Sequence, residues 1–196
     1  MRPLYLRGRI PSGGVAIIGS RTPPQRAERF AFELAYRLAR PVVAGLALGI
    51  DTAAHRGALA AGRPTAAFVP FGFGRTYPPE NAELEREIER RGGAIASPLA
   101  PGQGATESSF VERDRLQAEY SDAVVLVSSE IGGGALQTMA FARELGKLRF
   151  ALEPPSPESA GPAWAGNVRE LAGGAYPLPF DAGLAARIVG ERLDDR

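Results

Sequence analysis

Val15-Ala16-Ile17-Ile18-Gly19-Ser20-Arg21 is a short apolar run that stops on a Gly-Ser-Arg turn and leads, past Pro23 and Pro24, into a helical pattern. A buried parallel strand that empties into the start of a helix is a place where anions bind. The helix end supplies unpaired N–H groups and the positive end of the dipole, Gly19 lets the backbone come close, and Arg21 adds a cation with fork geometry. The stretch predicts a phosphorylated ligand.

Outward from it, short apolar runs alternate with helical segments. The expected strands are Val15–Ile18, Pro41–Ala44, Thr65–Pro70, Ala94–Ser97, Ala123–Val127 and Arg149–Leu152. The expected helices are Gln25–Ala39, Thr52–Ala61, Asn81–Arg91, Phe110–Ser121 and Ala135–Leu145. This β-α alternation predicts an α/β fold, a doubly wound and mostly parallel Rossmann-like sheet with helices on both faces. Ligands then sit at the carboxyl ends of the strands. Glycine-bearing loops fall at four such ends: Gly19-Ser20-Arg21, Gly45 to Asp51, Gly72 to Arg75, and Gly132-Gly133-Gly134. One such loop could be only a turn or a cap. Four in succession predict a shared edge, with the Gly19–Arg21 and Gly132–Gly134 loops meeting at one pocket. Neither Gly-x-Gly-x-x-Gly after the first strand nor Gly-x-x-x-x-Gly-Lys-Ser/Thr is present, so dinucleotide oxidoreductase and P-loop readings lose their support.

The 196 residues suit one domain spanning 1–196, with a core over about 12–180 and a helical tail over 184–196. With no cysteine there is no disulfide framework, thiolate metal site or Cys nucleophile. No stretch approaches a membrane span and the N-terminus lacks an apolar signal core, so a cytoplasmic protein with no membrane partner is expected. The 23 basic and 22 acidic residues give a net charge of +1, so any polyanion site must be local. Lys147 is the only lysine, a bias that most simply reflects base composition yet leaves arginine for phosphate contacts.

His55, the only histidine, lies four residues after Asp51 on one helical face. That spacing could orient an imidazole for acid–base work, or it could mark a helix start capped by Asp51 with His55 packed beneath the loop. The residues favour support over catalysis, because no motif marks a nucleophile and a lone histidine cannot build a metal site. Neither a catalytic set, a metal nor a cofactor is expected. Arg143, Glu144 and Lys147 read as a solvated helix face, and Glu153 to Pro162 as a proline-rich surface connector. Trp164 serves packing or an interface, and Phe73 and Tyr77 could stack on bases or pack in turns.

The string Val15 to Arg21, then Ala44-Gly-Leu-Ala-Leu-Gly-Ile-Asp-Thr-Ala-Ala-His-Arg-Gly-Ala-Leu59, then Tyr77-Pro-Pro-Glu-Asn81 with Leu84, resembles the Rossmann-like domain of the DprA or Smf DNA-processing family. Phe110-Val-Glu-Arg-Asp-Arg115 stands where that family carries Phe-Pro-x-Arg-Asn-Arg, and Gly133-Gly-Ala-Leu-Gln-Thr138 where it carries Ser-Gly-Ser-Leu-x-Thr. Gly166-Asn-Val-Arg-Glu-Leu-Ala-Gly-Gly-Ala175 is similar to its closing block, so the likeness covers roughly residues 12 to 180. It implies a non-catalytic protein that binds single-stranded DNA and passes it to a RecA-type recombinase during transformation, and that forms a homodimer through this domain. It further implies that Arg21, Arg113 and Arg115 contact phosphates while Gly19, Ser20, Gly45, Gly132, Gly133, Gly134 and Thr138 shape the pocket, with Asp51 and His55 in support. Such a site, of cations along a backbone and surfaces for stacking, is what single-strand binding requires.

Three departures lower the expected affinity for a polyanion: the family's Arg is Leu48, its Asn is Asp114, and its Ser-Gly-Ser is Gly133-Gly134-Ala135. The helical N-terminal and winged-helix-like C-terminal domains usual in full-length members are not legible in these residues. The alternative is a small-nucleotide protein of the wider superfamily that includes the LOG phosphoribohydrolases. Their loop shares the glycines of Glu130 to Met139, but Gln137 stands where their catalytic glutamate would fall.

Overall fold

The computed structural model describes residues 3–156 and 161–195. Its strands are β1 (Tyr5–Gly8), β2 (Val15–Gly19), β3 (Val42–Ala44), β4 (Thr65–Phe68), β5 (Ala94–Ser97), β6 (Ala123–Ser128), β7 (Leu148–Leu152) and β8 (Tyr176–Leu178). The helices are α1 (Gln25–Arg37), α2 (Ile50–Ala60), α3 (Ala82–Arg90), α4 (Glu107–Glu119), α5 (Ala135–Glu144), α6 (Ala165–Ala172) and α7 (Ala182–Asp194). One eight-stranded sheet runs in the order β1-β5-β4-β3-β2-β6-β7-β8. Every pairing is parallel except β1 with β5, so the expected α/β architecture is observed.

The central strands are apolar because both faces are covered. On β2, Val15 and Ile17 pack under α1, α2 and α7, whereas Ala16 and Ile18 pack under α4 and α5. Leu59, Ala67, Leu84, Ile88 and Ile95 close a third cluster between α2, α3 and the β4–β5 half of the sheet. Each fully buried Val, Leu, Ile or Phe contributes about 1.5–3 kcal/mol relative to exposure. The two-faced core is therefore what holds the strand ends, and the loops on them, in register.

The sequence reading missed β1, β8 and α6. Tyr5-Leu6-Arg7-Gly8 alternates half-buried and exposed positions on an antiparallel edge, and β8 is three residues long with Pro177 in it, a residue that edges tolerate. Helix α4 begins three residues before the expected Phe110, because Thr106 and Ser109 close a capping box. Trp164 is 2% exposed and meets Phe180 edge-on, which selects packing from the two roles its sequence position left open. Arg143 is not simply solvated: it joins Arg149 on the buried carboxylate of Glu170. Glu144 lies 3.7 Å from Arg115, and Lys147 donates to the Glu119 carbonyl. The tail helix docks on the domain through Ala182, Ala185 and Val189, with Asp194 paired to Arg40. Residues 157–160 of the connector, and Arg196 of the tail, lie outside the described residues.

Candidate nucleic-acid site

Strand order reverses between β2 and β6, so the connections leaving these neighbours depart to opposite faces and leave a crevice between them. A cleft of about 340 Å³ fills it, lined by Ser20 and Arg21 from the β2 end, Ala47 and Asp51 from the β3 end, Glu130, Gly133, Gly134 and Thr138 from the β6 end, and one face of α4. The loops at Gly19–Arg21 and Gly133–Gly134 thus meet at one pocket, as expected. The Gly72–Arg75 loop does not join them: Gly72 packs back on Ala100, and its amide donates to the Gln103 carbonyl.

Close approach requires two of the glycines. A Cβ on Gly19 would stand 2.6 Å from Ile50 Cγ1 and 2.8 Å from the Ser128 carbonyl oxygen. A Cβ on Gly45 would stand 1.9 Å from Arg113 Nη1 and 2.7 Å from Asp51 Oδ2. The chain between β3 and α2 is pinned at several points, with Leu46 buried at a φ of 64°. Asp51 Oδ2 accepts the amides of Gly45 at 3.0 Å and Ala47 at 3.3 Å, Thr52 Oγ1 donates to the Ala47 carbonyl, and Asn81 Nδ2 donates to the Leu46 carbonyl. Asp51 therefore closes the preceding loop; it does not cap the first turn of its own helix. Asn167 does the same service at the β6 end, accepting the Ser129 amide and donating to the carbonyls of Leu126, Val127 and Leu152.

Helix α4 presents Phe110, Arg113, Asp114 and Gln117 to the cleft, positions spaced i, i+3, i+4 and i+7 on one face. Arg115 lies about 200° around the helix from Arg113. It points to α5, with Nε 2.8 Å from Glu119 Oε1 and its guanidinium 5.3 Å from the Phe141 ring. The structure thus does not bring Arg115 into the cleft. Arg113 is in the cleft but is not the exposed cation expected: it is 6% exposed, donates from Nη1 to the Gly45 carbonyl and pairs through Nε with Asp114 Oδ1, both at 2.8 Å. Arg21 is exposed and makes no ion pair among the described residues; its guanidinium lies 5.2 Å from the Phe110 ring. Gly132 does not line the cleft, whereas Thr138 does, at 1% exposure.

Burial governs the carboxylates. Asp51 is pushed up to about 6 by burial, with the Arg113 charge and the two loop amides opposing the rise. Asp114 is raised by burial, against Arg113 and Arg21. His55 is remote from this network and fully buried. Its Nδ1 lies 2.8 Å from Thr65 Oγ1, and that hydroxyl spends its proton on the Val42 carbonyl, so Nδ1 must carry the donor and Nε2 is a bare acceptor with no partner among the described residues. Burial pushes its pKa down to about 3, which suits a neutral core brace.

Beside the cleft, Leu48, Pro70, Tyr77, Pro78 and Phe110 line an apolar recess of about 70 Å³. Tyr77 stands half-exposed, edge-on to Phe110 with ring centroids 6.3 Å apart. Phe73, the other stacking candidate, lies outside both and carries Arg7 over its ring. Phe110 and Gln117 were not singled out from sequence as site residues, although the i, i+3, i+4, i+7 spacing around Arg113 was the available signal. Gln137 is exposed and off the cleft lining, and no group of three metal-ligating side chains occurs among the described residues. The arrangement offers a free guanidinium, hydroxyls and the amides of a helix start beside flat apolar side chains, which is the chemistry of binding a phosphate with a base next to it.

Residues 2–179 match the family model of DNA recombination-mediator protein A. The chain is 36% identical over 148 residues to a putative DNA processing protein DprA of Mycobacterium tuberculosis, covering 74% of this chain and 38% of that protein. It is 34% identical over 155 residues to the Smf protein of Synechocystis, covering 78% and 38% respectively. The chain thus spans about two-fifths of the length of these relatives. Among solved structures it superposes on DNA processing protein A of Helicobacter pylori, described for its single-stranded DNA binding mode, with a TM-score of 0.83 and 27% identity over 98% of this chain and 87% of that one.

Proposed function

The chain belongs to the DNA recombination-mediator protein A family, the DprA or Smf proteins, and from that premise we propose that its switch-point cleft binds single-stranded DNA. The observation that carries the reading is Arg21: an exposed, unpaired guanidinium beside Phe110, where the β2 loop and the start of α5 converge. A phosphate is held by Arg21, Ser20 and the amides of Gly134 and Ala135, since the Gly133 amide is spent on the Glu130 carbonyl. A neighbouring base lies on the apolar shelf of Phe110, Tyr77 and Leu48. Arg113 acts from behind, ordering Gly45 and the two aspartates.

In the same reading the protein works in the cytoplasm in DNA uptake or recombination, hands the strand to a RecA-type recombinase and acts as a homodimer. The small-nucleotide reading is weaker, since Gln137 supplies no carboxylate and does not reach the cleft. Fluorescence anisotropy of labelled oligo-dT at low and moderate salt, with nucleotide monophosphates as competitors, tests the proposal. A steep salt slope with poor competition by mononucleotides is expected. A shallow slope with strong mononucleotide competition would replace the strand with a single nucleotide.

A further inference from the structure

One wall of the cleft sets three acceptor side chains around the Arg113 guanidinium. Asp51, Asp114 and Gln117 form it, all less than 10% exposed. Inside the wall, Arg113 Nε and Gln117 Nε2 both go to Asp114 Oδ1, at 2.8 and 3.2 Å, Arg113 Nη1 goes to the Gly45 carbonyl, and the amides of Gly45 and Ala47 go to Asp51 Oδ2, which leaves Arg113 Nη2 as a donor that the O6 of a guanine can meet. What remains is Gln117 Oε1, on a residue that lines the cleft: the atom is buried just beneath the lining and has no hydrogen-bond partner among the described residues, so a small turn of the side chain would bring it to a ligand. The amide orientation is chemically forced, because turning it over would set Oε1 against the Asp114 carboxylate. A buried acceptor left without a donor costs free energy that a ligand N–H would restore.

The rest of the lining adds donors: the Arg21 guanidinium, which stands over Phe110 of α4, the Ser20 hydroxyl and the amides at the start of α5, with the Glu130 carboxylate beside them. A ligand that satisfies both sides carries an anion at one end and N–H donors at the other. Within a DNA strand, the donor edge belongs to the base. Guanine presents two parallel donors, N1–H and the N2 amine, which suit a carboxylate paired with a neighbouring amide oxygen. Cytosine and adenine present one amine, and thymine sets its single N–H between two carbonyls that face carboxylates unfavourably.

We infer that the Asp51–Asp114–Gln117 wall makes this cleft select guanine over thymine in the bound strand, with Gln117 and Asp114 as the specificity-determining residues. The inference rests on the single-strand reading. It also gives a positive role to Asp114, which stands where the resemblance would place an asparagine.

The test is competition against fluorescein-labelled dT10 by unlabelled dT10, d(TC)5 and d(TG)5, with thermal melts to confirm folding. A bidentate contact available at every second base should make d(TG)5 compete about fivefold better than dT10, with d(TC)5 between them. Gln117→Met and Asp114→Asn should each collapse that ratio towards one, an effect that loss of folded protein would not produce. Equal competition by the three strands against a parent that binds dT10 would overturn the inference and leave the single-strand reading standing. If no strand binds, the single-strand reading falls and the inference with it. A ratio that survives both substitutions would overturn the role given to the wall.

Discussion

At the level of single residues, two arginines of one motif have different tasks, and the difference is measurable. Arg113 bridges Gly45, Asp114 and the field at Asp51 from a buried position. Arg113→Ala is expected to destabilise the fold by about 3 kcal/mol, because a buried pair loses one partner and two carboxylates are left without their cation. A urea titration reads this directly; an unchanged midpoint would assign Arg113 to the surface. His55 sets a second prediction. Its pKa is about 3 in the fold against 6.5 ordinarily, so the unfolded chain binds the extra proton and stability falls as pH drops from 6.5 towards 3, by up to about 1.4 kcal/mol per pH unit. Asp51 works the other way: raised from 3.8 to about 6, it favours the fold below 3.8 and that advantage is lost as pH rises through 6. The two offset each other between pH 4 and 6 in the parent. His55→Asn should unmask the aspartate, giving a protein whose urea midpoint rises, rather than stays level, as pH is lowered from 6 to 4.

At the level of elements, the apolar runs announced β2 and β6 because a doubly covered strand can hold almost nothing else, and their C-terminal glycine loops announced the cleft. The edges were illegible for the converse reason. β1 and β8 are short, half-exposed and carry Arg7 and Pro177, so neither periodicity nor apolarity marks them. Arg115 falls off the cleft because the motif was followed along the chain without turning it into a helix: spacing alone separates Arg113 from Arg115 by more than half a turn. Asn81 and Asn167 could be read as members of motifs, but their work as braces depends on loops far away in sequence. Asn167 joins the ends of β6 and β7 to α6 through four hydrogen bonds. Asn167→Ala should therefore lower stability by about 2–3 kcal/mol, since several buried backbone groups lose their partner together. Differential scanning calorimetry would show it, and a loss below about 0.5 kcal/mol would mean that the carbonyls find other donors.

At the level of the whole molecule, near-neutral charge makes binding a matter of one cleft and its exposed Arg21 rather than of a global field. The doubly wound sheet places that cleft where its order reverses; the β-α alternation predicts the doubly wound class but not the strand order. Of the two roles read for Trp164, packing or an interface, the buried indole takes packing. The dimer we propose must use other surface, and multi-angle light scattering at high concentration should report twice the chain mass, whereas a monomer there would remove it from the account. The central claim is that the strand's phosphates are held at Arg21. The most direct measurement is the salt dependence of oligo-dT affinity for the parent, Arg21→Ala and Arg115→Ala, side by side. Arg21→Ala is predicted to weaken binding and to lower the slope of log K against log salt by about one, while Arg115→Ala keeps both near the parent values. An Arg21→Ala protein that binds with the parent's affinity and slope would contradict the assignment of the strand to this cleft.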